Sequence, residues 1–260
     1  MADKGTKKKL TKVTGGESSS AAPVKPFVAS DESKKKARNF RIIAVLCWLV
    51  AIAFQGVAIY LLTKPPIVMW QLIALILADL IFVIAGSLLW KKSNRFDPPS
   101  EKNKILFFMQ SQLGVIAAII AFLPLIILIF MNKNVSGKQK GIIGGIAIAA
   151  LLIAGVTGVD WNPPSVEQYA EQTAQVEELT GKNSVFWTKA GTRYHLYSDC
   201  WRINTKRTDE IFQGTVAQAR ELKNISELCS TCEERVRKEK GLEIGKTAAE
   251  AAKEALEKKE

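Results

Sequence analysis

Four long apolar segments constrain the fold of this 260-residue chain more than any other feature of its sequence. A helix needs about 20 apolar residues to cross roughly 30 Å of hydrocarbon, and each segment reaches or approaches that length. The segments are 42–62, 67–90, 105–131 and 141–159. The sequence therefore predicts an α-helical membrane protein, with a four-helix transmembrane domain over residues 42–159. Its predicted partners include the lipid bilayer.

The formal net charge of +11 is distributed unevenly along the chain. Residues 1–41 carry eleven Lys and Arg against four acids, and they have few large apolar side chains. Such a segment cannot bury enough surface to fold, so we expect a disordered basic tail. Residues 182–260 are nearly balanced, with sixteen Lys and Arg against thirteen acids. Because the surplus lies beside the apolar segments, it favours contact with anionic lipid over nucleic-acid binding.

The short loops between the apolar segments predict the topology. The first loop has one Lys or Arg, the second has five and the third has three. Basic loops tend to stay in the cytoplasm, so these counts predict cytoplasmic N- and C-termini for a multi-pass protein of the cell (plasma) membrane. The acidic residues Asp160, Glu167 and Glu171 favour the opposite orientation for the fourth span alone, but the larger counts usually dominate.

Few polar residues lie within the apolar segments. Asp79 is at the middle of the second segment, where an ionisable side chain is costly unless it faces the bundle interior or a wet cavity. By depth, Gln55 and Gln112 are its expected partners. A proton or ion relay fits this pattern, and so does a hydrogen-bonded carboxyl group that holds helices together. The lack of a basic residue within the spans favours the second interpretation.

Potential metal ligands are concentrated towards the C-terminal end of the chain. The single histidine and three of the four cysteines follow the spacing H-x4-C-x28-C-x2-C. These residues are His195, Cys200, Cys229 and Cys232. Structural zinc sites take four tetrahedral ligands from thiolate and imidazole groups, and three cysteines with one histidine are a usual set. The sequence therefore predicts that these four residues bind zinc.

The residues around these ligands predict a small α+β zinc-binding domain over residues 184–241. We expect two short strands at 184–188 and 192–196, a helix capped by Thr215, and a further helix that begins near Cys232. The flanking divisions are a juxtamembrane helix within 160–183 and a charged helical tail over 242–260. A bound metal is a usual way to stabilise so small a domain.

The segment from Val185 to Cys232 also carries a family resemblance. It runs V-F-W-T-x-x-G-x-x-Y-H, then a cysteine, a helix with Ala, and C-x-x-C. This order resembles the small Ada-like metal-binding module of bacterial competence proteins and secreted nucleases. The resemblance implies that the histidine and three cysteines are zinc ligands, and that Trp187 and Tyr194 pack a small core. It covers no part of the apolar segments.

Three functions fit these observations. Four protein ligands fill a tetrahedral zinc shell, which favours structural over catalytic zinc. We therefore expect a non-enzymatic, prokaryotic membrane protein that acts as an interaction or regulatory subunit, with a protein partner or a homo-oligomer. One alternative is a small transporter or channel that uses Asp79. The other is an accessory in nucleic-acid handling at the membrane, with a basic face formed by Arg193, Arg202, Lys206, Arg207, Arg220 and Lys223.

Overall fold

The computed structural model describes residues 9–12 and 27–241. The chain forms two compact units. One comprises residues 29–165, and the other combines the N-terminal segment up to Val28 with the residues from Val166 onward. The predicted tail helix at 242–260 and most of the predicted basic tail lie outside the described residues.

The first unit is entirely helical among its described elements. Four of its five helices are long and apolar enough to cross a membrane, as the sequence predicted. These are α1 (Asp31–Leu62), α2 (Met69–Phe96), α4 (Leu113–Met131) and α5 (Gly137–Gly158). The short helix α3 (Lys104–Ser111) precedes α4.

Helix α1 begins well before the first apolar segment. The hydroxyl of Ser30 accepts a hydrogen bond from the backbone N–H of Ser33 at 3.1 Å, which caps the helix. Asp31 and Glu32 lie in the first turn, where negative charge is favourable to the helix dipole. The expected disorder of the basic tail is therefore wrong for its last eleven residues, 31–41, because local capping and charge extend the helix.

The predicted third span is divided at Gln112, between α3 and α4. The Gln112 side chain is bound to the backbone of Asp160 in both directions. Its Nε2 donates to the carbonyl of Asp160 at 3.0 Å, and its Oε1 accepts from the N–H of Asp160 at 3.1 Å. The expected single helix over 105–131 is thus two helices, with the break held against the end of α5.

Small residues set the distance between α4 and α5. A Cβ atom on Gly158 would lie 2.8 Å from the carbonyl carbon of Gly114, which is closer than real side chains approach backbone. Ala154 and Ala150 lie one and two turns before Gly158 and are also buried. Close approach of helix backbones over small residues is typical of membrane helices.

The second unit is an α+β domain with two small sheets. In one sheet, β4 (Glu210–Gly214) lies between β1 (Lys9–Lys12) and β2 (Val185–Thr188). In the other, β3 (Arg193–Tyr194) pairs with β5 (Glu227–Leu228). The helices are α6 (Val166–Thr180), α7 (Val216–Lys223) and α8 (Ser230–Lys240).

Helix α6 belongs to this domain. Its residues Val176 and Leu179 are buried in the same hydrophobic cluster as Trp187 and Tyr194. The side chain of Gln172 donates to the carbonyl of Ser226 at 2.9 Å. The predicted division between a juxtamembrane helix and a domain starting at residue 184 therefore differs from the structure, because α6 supplies part of the domain core.

Strand β1 lies within the segment that was predicted to be disordered. It runs parallel to β4, with Lys9 opposite Glu210 and Lys12 opposite Gln213. The hydroxyl of Thr11 also donates to the carboxylate of Glu210. The partner strand is distant in sequence, so local composition gave no sign of this pairing.

Candidate metal centre

His195 is positioned by an antiparallel pairing with β2. The N–H of Phe186 donates to the carbonyl of His195, and the N–H of His195 donates to the carbonyl of Phe186, each at 2.7 Å. Trp187 and Tyr194 on these strands are both 1% exposed and fill the core. The expectation that they pack the small core is therefore met. The pairing with Phe186 holds the backbone of His195 beside these core residues.

Cys200 lies in a tight turn after β3. Its carbonyl accepts hydrogen bonds from the N–H groups of Ile203 at 3.0 Å and Asn204 at 2.8 Å. Ile203 is buried in the domain core, so the turn is fixed on its inner side. The thiol of Cys200 is thereby held at a defined place although it lies outside regular strands and helices.

Cys229 and Cys232 occupy the start of α8. Cys229 is the N-cap residue, and its N–H donates to the carbonyl of Tyr194 at 2.9 Å, which joins the start of α8 to β3. Its carbonyl accepts from the N–H of Cys232 at 3.0 Å. The helix begins at Ser230, slightly earlier than the predicted start near Cys232. Both sulfurs consequently lie on the side of the helix that faces His195.

The four ligand atoms form one compact, buried cluster. One ligand atom from each of the four residues lies within 4.8 Å of all the others. The cysteines are free thiols, and all four residues are less than a tenth exposed. Zinc–sulfur bonds of about 2.3 Å and zinc–nitrogen bonds of about 2.0 Å require edges of roughly 3.5 to 3.8 Å in a tetrahedron. The distance from Cys232 Sγ to His195 Nδ1 is 3.6 Å, so this pair matches one edge of such a tetrahedron, and the cluster as a whole could hold a metal ion.

The electrostatic environment acts differently on the histidine and on the cysteines of the cluster. Burial and two nearby arginines lower the pKa of His195 to about 4, so the imidazole is neutral at pH 7 and can act as a ligand. Burial raises the pKa of Cys232 to about 12. Burial also opposes ionisation of Cys229, but the backbone N–H groups of Cys232 and Thr231 hold its pKa below the ordinary value. A divalent cation would favour the thiolate form of all three cysteines.

An arginine on α8 binds the loop that carries Cys200. Arg235 Nη1 donates to both carboxylate oxygens of Asp199 at 3.1 Å, and its Nε donates to Glu239 at 3.0 Å. Its guanidinium also lies 4.0 Å from the ring centroid of Tyr197, whose hydroxyl donates to Glu239 at 2.6 Å. We did not expect this cluster; the i,i+4 pair on α8 is visible in sequence, but its link to Asp199 requires the fold.

The three polar residues that were predicted to lie within the membrane do not come together. Gln55 donates to the carbonyl of Ile120 at 3.1 Å, and Gln112 is bound to Asp160. Asp79 is 1% exposed, and neither of its carboxylate oxygens has a hydrogen-bond partner among the described residues. The predicted partnership with Asp79 is wrong because each glutamine side chain bonds a backbone group instead, Gln55 that of Ile120 and Gln112 that of Asp160.

The predicted basic face is also divided. Arg220 is 1% exposed and donates to the side-chain oxygens of Gln168 at 2.9 Å and Gln172 at 3.3 Å, so it is not a surface cation. Arg193 forms an ion pair with Glu227 at 3.0 Å. The other four predicted members are exposed: Arg202, Lys206, Arg207 and Lys223.

The fold and the site define a class: a chain with four helices able to span a membrane, joined to a small domain with a His/Cys3 cluster able to bind a metal ion. No protein-family model, curated protein or solved structure matches the chain. The resemblance to the Ada-like module consequently rests on the motif residues alone.

Proposed function

We propose that this protein is a membrane-anchored zinc protein whose C-terminal domain is a non-enzymatic interaction or regulatory module of a membrane complex. The observation that carries the proposal is the compact cluster of one imidazole and three thiol groups, all buried. This donor set is common among structural zinc sites, and its soft thiolates favour zinc over magnesium or calcium.

In this proposal the zinc ion stabilises the domain fold. The four ligands lie on three local structures: His195 directly after β3, Cys200 in the turn that follows, and Cys229 and Cys232 at the start of α8. A bound ion would join these three segments, and in small domains the free energy of metal binding contributes directly to folding. The domain would then present a fixed surface to a partner.

The non-enzymatic part of the proposal follows from coordination. Catalytic zinc sites usually have three protein ligands and keep one position for water or substrate. Here the four side chains would occupy all four positions of a tetrahedral ion. A site so filled has no position at which substrate can be activated.

We also propose that both termini lie in the cytoplasm. The eleven Lys and Arg of residues 1–41, and the five between the second and third apolar segments, support this orientation. Cytoplasmic thiols remain reduced and available to zinc, which agrees with the three free cysteines of the cluster.

Elemental analysis of the purified full-length protein tests the zinc site. We expect one zinc per chain, lost in Cys229→Ser/Cys232→Ser together with the protease resistance of the C-terminal domain. Cys47→Ser is the matched control, because Cys47 lies in α1 and should leave the zinc content unchanged. A double variant that keeps its protease resistance without metal would refute the structural role of zinc.

Purification from the native membrane tests the interaction role. We expect a stoichiometric partner to accompany the wild-type protein and to be lost from the double variant, while Cys47→Ser retains it. Enzymatic turnover that depends on the metal, with Cys200→Ser inactive but folded, would contradict the non-enzymatic proposal.

A further inference from the structure

The turn that follows Cys200 displays an unusual combination of side chains. We call residues 201–207 the Trp201 loop. Trp201 is 66% exposed, although single exposed apolar residues are common and would need no explanation alone. Three cations accompany it within the loop, Arg202, Lys206 and Arg207, all of them exposed. An exposed indole beside three cations is an amphipathic surface.

The backbone of the Trp201 loop is fixed. The carbonyl of Cys200 accepts from two N–H groups of the loop, and Ile203 is buried beneath it. A second turn follows, in which the N–H of Thr208 donates to the carbonyl of Thr205 at 3.1 Å. The indole and the cations are therefore presented by an ordered turn that begins at a proposed metal ligand.

Neighbouring contacts preserve the positive charge of the loop. The carboxylate of Asp199, just before the loop, is bound by Arg235 on α8. Arg202 Nε donates to the hydroxyl of Thr231 at 2.9 Å, which holds the guanidinium 4.9 Å from the ring centroid of Trp201. The next acid along the chain, Asp209, follows the second turn and is outside the Trp201 loop.

We propose that the Trp201 loop binds the headgroup region of anionic phospholipids in the bilayer that the apolar helices cross. Indole rings prefer the membrane–water interface, and Lys and Arg near an anionic surface gain free energy from its potential. The proposal rests on the proposed function in one respect, since the metal ion would hold Cys200 at the base of the loop.

The tether supports this choice of partner. Helix α5 ends at Gly158 and α6 begins at Val166. The connecting residues can span at most about 25 Å when fully extended. A bilayer surface is thus within reach at a high effective concentration, whereas a soluble nucleic acid must be recruited from solution. Single-stranded nucleic acid could also stack on an indole, so it is included below as a contrary outcome.

Tryptophan quenching in full-length protein tests the proposal. The protein would be placed in nanodiscs of phosphatidylcholine alone or with added phosphatidylglycerol, both with lipid brominated close to the headgroup. The difference between wild type and Trp201→Phe isolates Trp201 from the other five tryptophans. We expect the Trp201 signal to be quenched in the anionic discs, and much less in the neutral discs or at high salt.

A charge-matched pair of variants identifies the cations that act. Arg202→Gln/Lys206→Gln/Arg207→Gln should reduce the equilibrium constant for docking by roughly 100-fold, at about fivefold for each charge. The control, Lys182→Gln/Lys189→Gln/Lys223→Gln, removes three exposed cations elsewhere on the domain and should dock as wild type does.

Any of three results would overturn the inference. The first is equal quenching of Trp201 in neutral and anionic discs. The second is equal quenching in the two triple variants. The third is a Trp201 signal that responds to a single-stranded oligonucleotide and not to anionic lipid. Metal content is measured on the same samples. Protein that holds zinc but fails to dock would refute lipid binding by the Trp201 loop and leave the proposed zinc site standing. Protein without metal refutes the proposed zinc site, while the comparison of discs still decides the inference.

Discussion

Arg220 offers the sharpest test of how the C-terminal domain is held together. Its guanidinium joins α7 to α6 through Gln168 and Gln172, and it lies 5.2 Å from the ring centroid of Tyr169. All three contacts are on the face of α6 that the domain buries or half-buries. Arg220→Ala should therefore separate α6 from α7 without touching a metal ligand.

The size of the effect follows from these contacts. A hydrogen bond to a charged group contributes about 1.5 to 3 kcal/mol, and a desolvated cation–π contact contributes about 2 kcal/mol. The cost of burying the guanidinium offsets part of this gain. Removing the guanidinium takes this donor away from both glutamine side chains, and losing one partner of a buried hydrogen bond costs about 1 to 3 kcal/mol. We expect a loss of roughly 3 kcal/mol for Arg220→Ala.

Hydrogen exchange of the full-length protein measures this loss. A change of about 3 kcal/mol should speed exchange of the protected amides in α6 and α7 by more than 100-fold. Lys223→Ala is the matched control, because it removes the same charge from an exposed position of the same helix. If the two variants exchange at similar rates, Arg220 is not a structural link and the reasoning fails.

Three further predictions concern the helical unit and the N-terminal strand. Gly158→Leu should cost about 1 to 3 kcal/mol in detergent unfolding by forcing α4 and α5 apart, whereas Gly145→Leu should be neutral because a Cβ there meets nothing within 4 Å. Asp79→Leu should stabilise the helical unit by about 1 to 3 kcal/mol and Asp79→Asn by less, since both carboxylate oxygens lack partners among the described residues; a destabilised leucine variant would refute this. Deletion of residues 1–26 should increase amide exchange in β4, and unchanged protection would contradict its pairing with β1.

Local signals in the sequence predicted several elements correctly. Thr215 caps its helix as expected. Its Oγ1 accepts from the N–H of Gln218 at 3.2 Å, and Gln218 Oε1 accepts from the N–H of Thr215 at 2.9 Å, so the two residues form a capping box. The capped helix, α7, runs from Val216 to Lys223. The apolar segments and the metal-ligand spacing were equally visible, because each depends on residue types within a short stretch or on a known donor set.

Features that depend on distant partners were not visible. Gln112 interrupts a continuous apolar pattern because its side chain binds the backbone of Asp160, and no local pattern indicates that bond. Arg220 resembles any surface arginine in sequence, and its burial requires two glutamines on α6. Strand β4 has weak alternation and forms between two strands from distant parts of the chain.

The pairing of β1 with β4 bears on the number of membrane crossings. Strand β1 precedes the first apolar helix and β4 follows the last, so their pairing requires both to lie on one side of any bilayer that these helices cross. Only an even number of crossings satisfies that condition. The four apolar helices do so, whereas a chain in which the interrupted α3–α4 segment failed to cross would place the strands on opposite sides. Cysteines introduced at Thr11 and Gln213 should therefore react with an impermeant reagent from the same side, and opposite sidedness would refute both the pairing and the count of crossings.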